Sequence, residues 1–356
     1  MSSYQDMPFS VVLTKMADGI RSHLILEHPS HADAAALWAV ATYRMDLWSI
    51  FPKFLISSPE KECGKTTFLE LLEAIVLKPV MAANVTASSF FRLIEEMQPT
   101  FLIDEADLSI KNNNQLLSLF NASHRKRGAF KINSEVTAKG NWTPKQWSLW
   151  TPQVIAGIGQ QEDTLMSRSI CINLRRKMHN ETVASVALDY YESLEELRTH
   201  LENWTSQINL TDHTWEVPSQ GSDRSKDNWK PLFVVAAKAG GGWIDKAHAA
   251  YEQLEVNSKA SKSMSIGTEL LIDIRRILSI KNDVQIKASE LRQELNLLED
   301  SEWYSFHGYK GITQKWLSNK LKGYGVETEK TRDANVYLTN ELEELFKRYL
   351  PPETDS

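Results

Sequence analysis

Gly64, Lys65 and Thr66 follow one another in this chain, and Asp104 and Glu105 stand side by side further along it. A lysine, a hydroxyl and a carboxylate pair are the groups that handling a polyphosphate requires. The Lys65 ammonium would act as a point charge on β- and γ-phosphates, and the Thr66 hydroxyl as a ligand to Mg²⁺. Asp104 would hold the same cation through water, because Mg²⁺ keeps much of its hydration and takes one or two carboxylates. Glu105 would orient and polarise an attacking water, the general-base position in hydrolysis of a γ-phosphate.

These groups need elements that aim them. The run Phe54-Leu-Ile-Ser-Ser-Pro-Glu-Lys-Glu-Cys-Gly-Lys-Thr-Thr67 reads as an apolar strand, a short loop and the start of a helix. That order gathers backbone N–H groups at a helix N-terminus, where the dipole favours an anion. Ser58, Glu60, Lys61, Glu62, Cys63, Gly64, Lys65, Thr66 and Thr67 are therefore the candidate nucleotide contacts, with Thr66 and Asp104 the candidate metal ligands. The G-x-x-x-x-G-K-[ST] pattern asks for glycine where this chain has Pro59, which cannot adopt φ > 0, so the loop must begin differently. Thr100–Ile103 reads as a buried strand that delivers Asp104 and Glu105 at its C-terminal end, where open α/β sheets bind ligands.

The surrounding pattern alternates strand and helix: strand 53–57, helix 65–77, an extended piece near 80–85, helix 87–97, strand 100–104, helix 112–122. This predicts an α/β fold, a P-loop NTPase with a parallel sheet between two layers of helices. Ahead of it, residues 1–50 read as helical, with an amphipathic segment Ala34–Met45 and Asp33 as its N-cap. Gly128 is a candidate C-cap for the helix after Asp104. Residues 129–151 read as an inserted β-hairpin, followed by strands at 152–159 and 169–174. Helices are expected at 181–206 and 228–254, the latter interrupted by Gly240-Gly-Gly242. The expected domains are a helical segment 1–50, a nucleotide-binding core 51–180, a helical extension 181–260, and a C-terminal domain 266–350 beyond a Ser- and Lys-rich boundary at 255–265. That last domain has helices at 268–280, 287–297 and 312–323 and a hairpin of 326–328 with 334–338, a winged-helix layout.

The chain of 356 residues has a formal charge of −6, which argues against a nucleic-acid-coated surface while allowing a local basic groove. Cys63 and Cys171 are too few for a disulfide framework and fit a reducing cytoplasm. Cys63, near Lys65 and a helix N-terminus, is placed where a thiolate is favoured. No apolar run approaches bilayer length, so no membrane role is expected.

Other residues admit two readings. Arg168, in Asp163-Thr-Leu-x-x-Arg168-Ser-Ile, resembles the arginine region of oligomeric ring ATPases, where it would act catalytically on a neighbour's γ-phosphate; it could equally pair with an aspartate. Asn121 and Gln160 are candidate γ-phosphate sensors, and Asn121 could as well cap a helix. His124, Arg125 and Arg127 suit phosphate or a solvated turn. Trp142, Trp147 and Trp150 could stack bases, although cross-strand packing is the better reading. Lys139 at the hairpin tip, and Lys310, Lys315, Lys320 and Lys322 around the last domain's third helix, are the candidate nucleic-acid contacts, with a solvated helix face as the alternative for the last four.

Taken together, Leu37-Trp38, Ser57-Ser-Pro-Glu60, Cys63-Gly-Lys-Thr-Thr67, Leu102-Ile-Asp-Glu-Ala-Asp107, Asn121-Ala-Ser-His-Arg125, Ala156-Gly-Ile-Gly159, Arg168-Ser-Ile170, Asp227-Asn-Trp-Lys-Pro-Leu232 and the Gly311-Ile-Thr region resemble the domain of unknown function 3631 family over about 25–350. The resemblance implies an AAA+-like ATPase module of bacteria, phages and plasmids, using ATP and Mg²⁺ beside primase or helicase domains. It also makes the Ser58-Pro59 start of the loop a family trait rather than a defect. The primase part is not in this sequence, so a separate partner is expected to supply it. Two function classes follow. One is a homo-oligomeric, ring-forming motor or remodelling ATPase acting on DNA in mobile-element replication or genome maintenance. The other is an ATP-dependent switch subunit of an anti-phage or plasmid-maintenance system, acting on a protein effector.

Overall fold

The computed structural model describes residues 7–83, 85–106, 113–136, 140–159, 161–186, 188–210, 218–257, 266–281, 283–298, 301, 303 and 311–350. They fall into two compact units, Met1–Ser261 and Lys262–Ser356.

The first unit is built on five parallel strands: β1 (Lys53–Ser58), β2 (Pro79–Ala82), β3 (Thr100–Ile103), β6 (Gln153–Ile158) and β7 (Ser169–Asn173), in the order β2-β3-β6-β1-β7. Parallel neighbours need crossovers, and helices supply them. Helix α3 (Lys65–Glu73) leads from β1 toward β2, α4 (Ala87–Met97) joins β2 to β3, and α5 (Asn114–Ala122) follows β3. Thr86 caps α4 by accepting from the Ser89 N–H, and Asn113 caps α5 by accepting from the Leu116 N–H. Between α5 and β6 the chain makes the antiparallel hairpin β4 (Phe130–Val136) and β5 (Trp142–Ser148).

Strand residues alternate between two cores, as the period of two demands. Phe54, Ile56, Leu102, Val154 and Ile172 join the core that includes α3, α1 (Phe9–His23), α2 (Ser30–Ala41), α8 (Asp223–Ala239) and α9 (Trp243–Tyr251). Leu55, Phe101, Ile103 and Ile155 join the core made with α4 and α5. Helices thus cover both faces. The short helix α6 (Asp163–Met166) precedes β7, and helix α7 (Leu188–Gln207) begins later than the 181 expected.

Three local expectations are corrected. Every residue of α2 is buried, so this helix has no polar face, and Asp33 lies inside its first turn, paired with Arg21 at 2.5 Å, rather than capping it. Helix α5 ends at Ala122, and Lys126–Gly128 form a separate 3₁₀ turn, so Gly128 caps nothing in α5. Helix α3 stops at Glu73 instead of 77.

The second unit has α10 (Ile266–Lys281), β8 (Gln285–Lys287), α11 (Ala288–Leu297), α12 (Gln314–Gly323), β9 (Glu329–Lys330), β10 (Asn335–Leu338) and α13 (Thr339–Tyr349). Its antiparallel sheet runs β8-β10-β9 over a core that includes Leu270, Ile274, Leu291, Leu317 and Tyr337. The hairpin falls three residues later on its first strand than expected, and β8 and α13 are additional to the expected layout. Among the described residues no helix is long and apolar enough to cross a membrane.

Phe54 is fully buried between Trp38 and Phe68, with ring centroids at 5.4 and 5.9 Å. Phe54→Ala should destabilise the first unit by about 3–5 kcal/mol, through lost apolar burial and the cavity left behind. Its urea midpoint measures this.

Candidate functional site

The loop after β1 turns through backbone conformations that few residues tolerate. Glu62 has φ +61° and Gly64 φ +86°, and a Cβ at Gly64 would lie 3.0 Å from Leu24 Cδ2. Glycine here satisfies both the left-handed backbone and the close contact. The turn brings Lys65 back over the strand end. Its Nζ donates to Ser58 Oγ at 2.7 Å and to the Glu60 carbonyl at 3.3 Å, while Ser58 Oγ donates to that carbonyl at 2.6 Å. Cys63 is buried, so it presents no thiol at the loop surface.

Asp104 and Glu105 follow β3, which is separated from β1 by β6. All three strands run the same way, so their C-terminal ends share one edge of the sheet. There Thr66 Oγ1 donates to Asp104 Oδ2 at 2.9 Å, and the Glu105 N–H donates to Asp104 Oδ1 at 2.8 Å. Glu105 itself has φ +49°, a left-handed conformation that is strained for a residue with a side chain. Lys65, Thr66, Asp104 and Glu105 therefore converge from two separate segments. The Thr66 hydroxyl and Asp104 carboxylate form a donor set suited to a hard, hydrated dication.

Arg176 is a member of this edge that the sequence did not disclose. Strand β7 pairs with β1, the Leu174 N–H reaches the Ser57 carbonyl at 2.8 Å, and Ser57 Oγ donates to Asn173 Oδ1 at 2.5 Å. Two residues on, the Arg176 guanidinium donates to Glu62 and lies 3.9 Å from Glu60 Oε2. The loop after β1 thus carries two carboxylates, with one arginine set against both. The run Arg175-Arg-Lys177 was the only available signal, and it says nothing about which strand lies alongside.

Arg168 and Asn121 are not at this edge. The Arg168 carbonyl accepts from the Lys53 N–H at 3.0 Å, at the start of β1. Lys53 and Ser58 are five strand rises apart, roughly 17 Å, so Arg168 lies at the opposite end of the sheet from the phosphate loop. Asn121 shares that end. Two residues beyond it, Ser123 Oγ accepts from Gln153 at the start of β6, and the His124 carbonyl accepts from the Phe51 N–H. Asn121 donates to Thr164 Oγ1 at 3.3 Å, and the Arg168 guanidinium donates to the Thr164 carbonyl at 2.7 Å. Asn121, the candidate γ-phosphate sensor or helix cap, is thus carried by α5 back to the N-terminal edge.

That edge is crowded with basic groups. Lys53 is fully buried, and burial, then the charge of Arg168, lower its pKa from 10.5 to about 7. His124 is buried and bonded to Asn228, and burial, with Lys53, Arg168 and Arg125 adding to it, lowers its pKa to about 4. It is a neutral interior group and not a surface phosphate ligand.

The hairpin divides its tryptophans. Trp147 packs on Phe91 of α4 at 5.1 Å, and Trp150 donates to the Met45 carbonyl, whereas Trp142 is 71% exposed. In the second unit Lys315 is exposed, Lys320 lies 5.9 Å from the centre of the Trp316 ring, and Lys322 pairs with Glu327 at 3.0 Å. Lys139, Gln160 and Lys310 lie outside the described residues.

Residues 173–349 match a family model described as "Protein of unknown function (DUF3631)". The match begins at the end of β7, later than the 25–350 expected, so it contains Arg176 but neither the phosphate loop nor Asp104-Glu105. An uncharacterized 28.9 kDa protein in the xis 5′ region of Saccharopolyspora erythraea is 27% identical over 186 residues, covering 50% of this chain and 69% of that protein. Two solved structures are distantly similar. The NrS-1 C terminal region (A form, apo) is 12% identical with a TM-score of 0.44, covering 94% of this chain and 76% of that one. The protein titled "SCCmec type IV Cch - active helicase" is 12% identical with a TM-score of 0.42, covering 93% and 69%.

Two outcomes follow from the charges. On the expectation that the Gly64-Lys65-Thr66 loop holds a triphosphate, Arg176→Ala, which leaves Glu60 and Glu62 uncompensated, should weaken that binding about tenfold, with Glu62→Gln in the same chain restoring most of it. Equilibrium titration with a fluorescent triphosphate analogue reads both. Between pH 7 and 10.5 the unfolded chain binds a proton at Lys53 that the folded chain does not, so stability rises with pH across that window, by up to about 1.4 kcal/mol per unit. Urea unfolding of Lys53→Met should lack this rise.

Proposed function

We propose that this chain, which belongs over residues 173–349 to the family described as protein of unknown function DUF3631, is a Mg²⁺-dependent P-loop ATPase of the AAA+ or helicase-like kind that acts on DNA. The observation that carries the reading is the 2.9 Å contact of Thr66 with Asp104, made between a helix N-terminus and the end of a strand two places away in the sheet. A hydroxyl and a carboxylate brought together beside a lysine and a left-handed glycine turn are the parts of a triphosphate–Mg²⁺ site. The cation, held by Thr66 and through water by Asp104, would supply charge neutralisation across the β- and γ-phosphate oxygens.

The chain's own residues divide the rest. Lys65, already turned over the loop by Ser58, takes the terminal phosphates as partners. Backbone N–H groups from Glu60 to Thr67 cradle the α- and β-phosphates. Asp104 accepts the Glu105 N–H, fixing the strand end from which the Glu105 carboxylate draws a proton from the attacking water. Arg168, at the far end of the sheet, can meet a triphosphate only on a neighbouring copy, which supports a homo-oligomeric, head-to-tail assembly. The helix-rich second unit, with its small antiparallel sheet and the exposed Lys315, supports a winged-helix-like role in contacting DNA. Together with Lys139, Lys310, Lys320 and Lys322, Lys315 is the candidate contact set. The setting this reading implies is replication or maintenance of mobile DNA, with a primase or helicase as partner.

ATP turnover measured with and without single- and double-stranded DNA tests the proposal. Wild type should hydrolyse ATP faster with DNA. Lys65→Ala should lose nucleotide binding, and Glu105→Gln should bind ATP yet turn over at least about 100-fold more slowly. Undiminished turnover in Glu105→Gln would refute the catalytic assignment, and absence of both stimulation and a low-salt gel shift would refute the DNA role.

A further inference from the structure

The N-terminal edge of the sheet holds more cationic charge than one trans-acting arginine needs. Arg168 and Arg224 are both fastened to the turn that precedes β7: Arg168 through the Thr164 carbonyl at 2.7 Å, Arg224 through Ser167 Oγ at 3.1 Å. The start of α8 is pinned to the same turn, because Asn228 donates to the Ser167 carbonyl at 3.2 Å and accepts from His124 at 2.8 Å. Ser222 caps that helix, accepting from the Ser225 N–H. Arg224 therefore stands on a fixed mount beside Arg168, exposed at the surface while Arg168 is half-buried.

Among the described residues no carboxylate pairs with either guanidinium. Arg125 differs, since Asp227 lies 3.6 Å away. Asp163 and Asp223, the acids nearest in sequence, make no ion pair with Arg168 or Arg224. Like charges held together without a counter-ion disfavour one another: burial, then Arg224 and Arg125, lower the pKa of Arg168. Such a cluster gains most from an anion brought to it. The other end of the sheet carries four carboxylates beside the loop: Glu60 and Glu62, which Arg176 offsets, and Asp104 and Glu105, which make no ion pair among the described residues. Because the strands are parallel, these two edges cannot meet within one copy, and a head-to-tail contact between copies brings them together.

We propose that Arg224 joins Arg168 as a second arginine presented to the triphosphate bound on a neighbouring copy of the chain, an inference that rests on the ATPase reading of the phosphate loop. Arg168 faces the transferred phosphate and Arg224, on the outer side, neutralises the remaining phosphate charge.

A mixing experiment tests this with full-length protein. Arg224→Ala should lower ATP turnover roughly tenfold or more, with Arg224→Lys in between. Adding Glu105→Gln chains, which lack turnover of their own but retain both arginines, should restore activity to Arg224→Ala, as it should to Arg168→Ala; sedimentation confirms that mixed assemblies form. Wild-type turnover in Arg224→Ala overturns the inference, and so does a loss that mixing leaves unrepaired while it repairs Arg168→Ala. Both of these leave the trans reading of Arg168 standing. If mixed assemblies form and neither variant is restored, the trans reading itself fails.

Discussion

Parallel pairing of β1 with β6 on one side and β7 on the other decides which charged groups of the first unit can act together. Every strand of that sheet points its C-terminal end to the same edge, so a residue's position before or after its strand fixes the edge at which it emerges. Lys65, Asp104 and Arg176 follow strands and gather at one edge; Arg168 precedes a strand and is sent to the other. The Thr66–Asp104 contact at 2.9 Å depends on this arrangement, since it spans the position of β6. A register slip of one residue in β1 would exchange Phe54 and Ile56 with Leu55 between the two cores, a cost that burial on both faces forbids. Core packing is therefore what holds the site's geometry.

The two edges also differ in how their charges are managed. At the loop after β1, Arg176 offsets Glu60 and Glu62, and these are exposed pairs whose net worth to folding is small. The opposite edge follows another rule. Lys53 is enclosed at a cost that its lowered pKa records, His124 is held neutral, and Arg168 and Arg224 pair with no carboxylate among the described residues. A fold gains nothing in stability from such an arrangement.

Much of this was legible in the sequence, for reasons that can be named. Strands β1 and β3 announced themselves as short apolar runs, and the residues that follow each run are those that chemistry at a strand end requires. Helix α4, with Thr86 before it and an apolar stripe along it, was read to the residue. Asp33 misled because a good capping residue also suits the first turn of a helix, and the all-buried face of α2 depends on the packing of α1, α8 and α9 around it. Arg176 was hidden for a different reason: only the adjacency of β7 to β1, a tertiary fact, gives it a role.

The edge at which Asn121 emerges is instructive, because the sequence did contain it. Once β3 ends at the phosphate edge and the next core strand is parallel to it, the chain must travel back to the N-terminal edge before β6 can begin. Helix α5 has nine residues, about 14 Å of rise, close to the length of a core strand. A residue at the end of that helix must lie at the far edge, where Asn121 meets Thr164. The same reasoning places Arg168, which stands directly before a strand, at that edge without any coordinates. Parallel topology thus separates residues that can share one edge of the sheet from those that cannot, and it sets Asn121 and Arg168 at the edge opposite Lys65 and Asp104.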